Sequence, residues 1–200
     1  MYKSDFVLLR VLRVFVAKTA EASKRFVLIS GLPGSGKTTL GRQLAPLLGL
    51  TLIDKDDILD RLYETRGIGS AEWRRALSRE SDGMLQHDAE ASNGAVLVSF
   101  WRAPGMPDGS GTPCEWLTAL SDAIVHLHCI CDPDVAAQRF ISRTRHPGHL
   151  DASRSAGDIA ASIRAAATLP PPDIGLRIDV DTSTVPDVQK VARIIRDRWR

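Results

Sequence analysis

The residues Gly31-Leu32-Pro33-Gly34-Ser35-Gly36-Lys37-Thr38 satisfy the spacing G-x-x-x-x-G-K-[ST] of a phosphate-binding loop. Three glycines let the backbone turn where side chains would forbid it, so that successive N–H groups converge on phosphate oxygens. A helix opening at the end of the loop adds positive potential at the same point. Lys37 is then expected to reach the β- and γ-phosphates as a point charge, the Thr38 hydroxyl to ligate Mg²⁺, and Thr39 to meet the α-phosphate. A chance glycine-rich turn is the competing explanation. The apolar run RFVLIS before the loop and the helical period of GRQLAPLLG after it argue against that explanation.

A phosphate loop does not by itself separate transfer from hydrolysis, so a base for an acceptor hydroxyl is the next requirement. Asp54-Lys55-Asp56-Asp57 can supply one. In a parallel sheet the carboxyl ends of the strands share one edge, which puts the end of the second strand beside the phosphate loop. Asp54 and Asp56 are two apart and can both face that crevice. Asp56 is the candidate to orient and deprotonate the hydroxyl, and Asp57 is expected to act only as a helix cap.

Basic side chains follow further along. Asp132-Pro133 opens a helix expected over about 133–145, with Arg139 and Arg143 on one face and Arg145 just beyond. Pro147-Gly148 breaks it and makes a hinge. Planar, always-charged guanidinium groups suit both stacking on a base and holding phosphate, although a solvated basic face is the commoner fate of such a row. Trp101 and Arg102 lie just past the third strand, where an aromatic face and a guanidinium can hold a ring and an anionic group, or simply pack under the 103–113 loop. His146 and His149 receive no role.

The elements that must position these residues alternate. Strands are expected at 25–30, 51–54, 95–100, 123–131 and 176–181, and helices near 41–49, from Asp56, and over 71–92, 133–145, 153–168 and 186–199. Loops fill 103–113 and 170–175. This is an α/β domain over 24–200 with a mostly parallel sheet. Residues 1–23 form an N-terminal extension whose FVLLRVLRVFVAK stretch, broken by arginines, is too interrupted to span a membrane and reads as a basic amphipathic helix for a membrane surface or partner, a helix packed on the domain, or a poorly ordered tail. With 26 basic and 24 acidic side chains the net charge is +2, so no global field draws the chain to polyanions. Cys114, Cys129 and Cys131 read as buried free thiols of a reducing, cytoplasmic compartment.

The segment ISGLPGSGKTTLGRQLAPLLGLTLIDKDDIL resembles the opening of the AAA-type, polynucleotide-kinase-like small-molecule kinases, relatives of gluconate and shikimate kinases, chloramphenicol phosphotransferase and zeta-type toxins. The resemblance extends over roughly residues 24–198. It implies a P-loop sandwich with a five-stranded sheet in the order 2-3-1-4-5. It also implies that Asp56 is base or substrate anchor and that Asp54 helps hold magnesium through water. The R-x-x-x-R run followed by HPGH resembles an adenylate-kinase-like lid over about 139–150, in which Arg139 covers the adenine and Arg143 reaches the transferring phosphate. Asp181-Thr182 resembles the turn whose following loop lies near the base. Many relatives carry an aspartate at the end of strand three; here Ser99 stands there without charge.

The expected activity is transfer of the γ-phosphoryl group of ATP, with Mg²⁺, to a hydroxyl of a small molecule. Lys37, Asp56 and Arg143 carry the chemistry. Gly31 to Thr39 with Arg139 and Arg143 bind ATP, Thr38 and Asp54 hold the metal, and Asp56, Trp101 and Arg102 meet the acceptor. The alternatives are a nucleic-acid 5′-hydroxyl kinase and a regulatory ATP-binding protein. Over residues 57–94 acidic side chains outnumber arginines, apart from Arg74 and Arg75. That balance argues against a polynucleotide and for an uncharged or weakly charged ring held among Trp73, Trp101 and Trp116.

Overall fold

A computed structural model describes residues 24–200. Its centre is β1 (Arg25–Gly31), whose Phe26, Val27, Leu28 and Ile29 are wholly buried. A continuous apolar run suits a strand covered on both faces, and full burial of each such side chain stabilises the fold by about 1.5–3 kcal/mol. β2 (Thr51–Asp54), β3 (Gly94–Val98), β4 (Ala123–Ile130) and β5 (Leu176–Asp181) complete an all-parallel sheet in the order β2-β3-β1-β4-β5. The expected strand order is therefore observed.

One face of the sheet is covered by α1 (Lys37–Leu48) and α7 (Val188–Arg198), through Leu40, Leu44, Val191 and Ile195. The other face receives α2 (Lys55–Arg66), α3 (Ala71–Ala91) and the short α4 (Leu117–Leu120), through Ile58, Leu85, Ala89 and Leu117. A third apolar cluster joins α5 (Pro133–Ser142) to α6 (Ala156–Ala167) around Phe140, Ile159 and Ile163. Ser70, Asp132, Ser155 and Asp187 cap their helices by accepting backbone N–H groups. No helix among the described residues is long and apolar enough to cross a membrane. The proposed N-terminal amphipathic helix lies outside the described residues.

Three differences from the sequence expectation bear on the site. β3 ends at Val98, because Phe100 and Trp101 turn aside to meet Thr112. α4 was hidden in a segment too short to show a period. α5 stops at Ser142 with Arg143 already extended, so Arg139 and Arg143 do not share a helical face. The chain must leave the helical region before Pro147, whose ring disfavours helical dihedrals in the residue before it. Two 3₁₀ turns, Pro147–His149 and Asp151–Ser153, follow instead.

Candidate nucleotide and acceptor site

The carboxyl ends of β1, β2 and β3 open onto one cleft of about 430 Å³, lined by Lys37, Thr38, Asp54, Asp56, Arg139 and Arg143 among others. Gly36 takes a left-handed conformation as the N-cap of α1, and no acidic side chain occupies that helix's first turn. The positive end of the helix thus faces the cleft unopposed. At Gly34 (φ +81°) a Cβ would stand 2.2 Å from the Ala136 carbonyl oxygen, so only glycine lets the loop pass under α5. The Lys37 ammonium donates to the carbonyls of Gly31 (3.0 Å) and Leu32 (2.8 Å), folded back over the loop it would serve. Burial lowers its pKa, with Cys129, Asp56 and Asp54 partly offsetting the effect.

Asp54 has two structural tasks. Its Oδ1 accepts from the Asp56 N–H at 2.9 Å and caps α2, and its Oδ2 accepts from the Thr38 hydroxyl at 2.7 Å. The cap expected at Asp57 is therefore at Asp54. Asp57 instead pairs with Arg42 at 3.0 Å, one helix over. Burial pushes the Asp54 carboxyl up to about 6. A hydroxyl and a carboxylate in contact, both hard oxygen donors, fit Mg²⁺, and a cation there would restore the charged carboxylate.

A carboxyl whose folded-state pKa exceeds its unfolded value stabilises the fold while protonated. That contribution is complete below the unfolded value of 3.8 and is lost as pH rises through about 6. Asp54→Asn keeps a good cap oxygen and can turn its amide to the Thr38 oxygen. The variant is expected to be more stable than the parent at pH 7.5 without metal, by about 1–3 kcal/mol or roughly 2–12 °C in Tm. It should also lose Mg·ATP affinity. Thermal melts with and without Mg·ATP check both statements; a lower Tm for the metal-free variant rules out the burial argument.

Asp56 enters the cleft from the first turn of α2, and Arg145 holds its Oδ2 at 2.7 Å while also reaching Asp151 at 3.1 Å. Burial pushes the Asp56 carboxyl up, but Arg145, His149, Lys37 and Arg143 together outweigh it, so the group stays below its ordinary value. Arg139 donates to the backbone carbonyls of Thr182 and Ser183, both at 2.7 Å, and ties α5 to the turn after β5. Arg143 lies over the Phe140 ring at 4.3 Å and lines the cleft. The segment after it is docked on α2. His146 stacks on Tyr63, Gly148 passes so close to that ring that a Cβ would meet it at 2.4 Å, and His149 Nε2 contacts Asp60 at 2.6 Å. Burial and the neighbouring Arg145 lower the His149 pKa, which makes Nε2–H the donor of a neutral ring.

Trp101 and Arg102 lie away from this cleft. Trp101 is 3 % exposed, donates its indole N–H to the Ile29 carbonyl at 2.9 Å, and edges a separate apolar cavity of about 250 Å³ on the far side of the phosphate loop. Arg102 turns to the Ser110 carbonyl and Asp108. Trp73 and Trp116 bond the carbonyls of Gly67 and Pro113, so the three tryptophans do not converge. A contiguous cavity of about 260 Å³ shares Asp56, Arg74, Ser99, Phe100 and Arg145 with the nucleotide cleft and runs along α3. Ser99 there bonds the Thr112 hydroxyl at 2.6 Å. Arg145, Arg74 and Thr112 are the site residues that sequence reading missed. Arg145 was close to legible from its place beside the arginine row, and Arg74 from the local basic patch it forms with Arg75.

Fold and site together define a kinase-like P-loop nucleotide-binding domain. The chain belongs to the AAA_33 AAA-domain family, whose profile matches residues 26–164. An uncharacterised Mycobacterium tuberculosis protein is 30% identical over 171 residues, covering 79% of this chain and 32% of its own length. The chain thus spans about a third of that relative. A shikimate kinase of Corynebacterium jeikeium is 40% identical over 77 residues, 38% of this chain and 41% of its own. Among solved structures, a candidate kinase of Chloroflexus aurantiacus superposes with a TM-score of 0.74 at 24% identity, covering 89% of this chain and 100% of that one. The Bacteroides thetaiotaomicron shikimate kinase gives a TM-score of 0.53 at 17% identity, over 86% and 97%.

Proposed function

We propose that this chain is an ATP-dependent kinase that transfers the γ-phosphoryl group to a hydroxyl of a small acceptor. The observation that carries the proposal is the shared cleft, in which the phosphate loop, the Thr38–Asp54 pair and Asp56 face one another. Lys37 leaves its loop carbonyls to hold the β- and γ-phosphates, and the loop N–H groups hold the remaining oxygens. Thr38 and Asp54 would hold Mg²⁺, which neutralises charge on the phosphates. Arg143 faces the transferring group. Arg139, through its tie to Thr182 and Ser183, positions the wall on which the adenine rests. Asp56 accepts the acceptor's hydroxyl proton as that oxygen bonds to the γ-phosphorus and the bond to the β-phosphate oxygen breaks, releasing ADP. Arg145 must yield part of its hold on Asp56 for the hydroxyl to enter.

The test is transfer from γ-labelled Mg·ATP to a panel of hydroxylated metabolites, antibiotics, nucleosides and a 5′-hydroxyl oligonucleotide. Labelling of a small acceptor and poor labelling of the oligonucleotide are expected. ATP binding with no labelled product would instead favour the regulatory reading, consistent with the uncharged Ser99 and the occupied Asp56. Oligonucleotide labelling that weakens steeply between about 50 and 200 mM salt, as release of counterions from several phosphates requires, would make the chain a nucleic-acid kinase.

A further inference from the structure

The cavity along α3 contains no residue of the phosphate loop, yet Lys55, Arg74, Arg75, Arg79 and Arg145 line it against only Asp56 and Asp82. Lys55, Arg75 and Arg79 face this cavity alone, while Arg74 and Arg145 stand where it meets the nucleotide cleft, so the positive charge extends beyond the reach of the phosphate loop. Several of these cations are already matched. Lys55 pairs with Asp82 at 2.5 Å, Arg145 with Asp56 and Asp151, and Arg75 with Glu72 at 2.5 Å. Arg74 and Arg79 have no carboxylate within ion-pair distance among the described residues, and the Arg74 Nε–H is buried without a hydrogen-bond partner. A buried, unpaired guanidinium N–H is costly unless an acceptor meets it.

Four of the acids that outnumber the arginines along residues 57–94 are held by other side chains and do not line this cavity. Asp57 is held by Arg42, Asp60 by His149, Glu80 by Arg66 and Glu72 by Arg75. Linear charge counting mixed the faces of α2 and α3. In space, Arg74, Arg75, Ser78, Arg79 and Asp82 share one helical face, so the wall beside the acceptor is basic.

We propose that the acceptor carries an oxyanion, a carboxylate or a phosphate, held by Arg74 with Arg79 on α3 while its hydroxyl is presented to Asp56. This rests on the kinase reading for the role of Asp56 but not for the anion site. A guanidinium fork matches a planar or tetrahedral oxyanion with two parallel hydrogen bonds. The anion at one end of the cavity and the hydroxyl at Asp56 fix the orientation in which the oxygen meets the γ-phosphate. A cavity of about 260 Å³ suits a compact metabolite and not a polynucleotide.

Two measurements test this on the full chain saturated with Mg·ADP and Mg·ATP respectively. In the first, modification of individual arginines by phenylglyoxal is read by mass spectrometry with added phosphate, citrate or neutral sorbitol. Phosphate or citrate should protect Arg74 several-fold and sorbitol should not, with exposed Arg193 unaffected throughout; the anion that protects tells phosphate from carboxylate chemistry. Unchanged modification of Arg74 under both anions overturns the proposal. In the second, transfer is compared within matched alcohols: glycerate and glycerol 3-phosphate against glycerol, and gluconate against glucose. Anionic partners should be preferred, and Arg74→Gln should raise their KM about tenfold or more without changing KM for ATP, with Arg74→Lys in between. Preference for the neutral partners, or an Arg74→Gln enzyme with unaltered KM, overturns it. If no alcohol is labelled while Arg74 is protected, the kinase reading fails and the anion site stands.

Discussion

Asp56→Asn is expected to leave Mg·ATP affinity within a few-fold of the parent and to lower phosphoryl transfer by about 10²–10⁴, the range that loss of a positioned general base produces. Asparagine keeps the shape of the side chain and can still meet Arg145, but it cannot take a proton. Neither the Thr38–Asp54 contact nor the α2 cap passes through the Asp56 side chain; only its backbone N–H serves the cap. Nucleotide binding should therefore survive. The pH profile provides a second check. Asp56 is held below its ordinary value by the cations around it, so it stays ionised across the neutral range. Loss of activity on acidification should instead follow Asp54, near 6 before metal binds, and appear as a rising requirement for Mg·ATP. Equal losses of ATP affinity and transfer in Asp56→Asn would mark the residue as structural.

Lys37→Ala is expected to reduce transfer by about 10³-fold or more and to weaken ATP binding, since a fixed charge aimed at the migrating phosphoryl group is lost. Stability should barely fall. Burial already lowers the Lys37 pKa, with Cys129, Asp56 and Asp54 only partly offsetting it, so the free protein holds this ammonium at a cost even as it donates to the Gly31 and Leu32 carbonyls. Removing it leaves those two acceptors open to water rather than stranding a charge. Calorimetric ATP binding and a melting curve on the same preparation separate the two effects. Full turnover in this variant, or collapse of its fold, would each contradict the account of Lys37.

The strands and the phosphate loop were legible because each depends on local pattern: continuous apolar runs for β1 and β4, and a fixed glycine spacing before Lys37. The strand order came from the resemblance and is the order observed. What escaped depends on side chains meeting across the fold. α5 ends at Ser142 and the chain beyond it docks residues 146–149 on Tyr63, and no period in 133–145 records that contact. Arg145 rather than Arg143 reaches Asp56, because the turn after Ser142 swings the extended chain back towards α2. The cap moved from Asp57 to Asp54 since the helix begins a residue before the first acidic pair, at Lys55. Trp101 could have been read either way, and packing won, with its N–H satisfied by a β1 carbonyl.

The contact between Gly34 and the Ala136 carbonyl constrains how the molecule can breathe. Backbone lies against backbone there, so α5 cannot move closer to the phosphate loop than it already is. Among random variants, position 34 should tolerate no replacement. A side chain there would displace α5, and with it Arg139 and its hold on the Thr182 and Ser183 carbonyls, so a change made at the phosphate loop would be felt at the turn after β5.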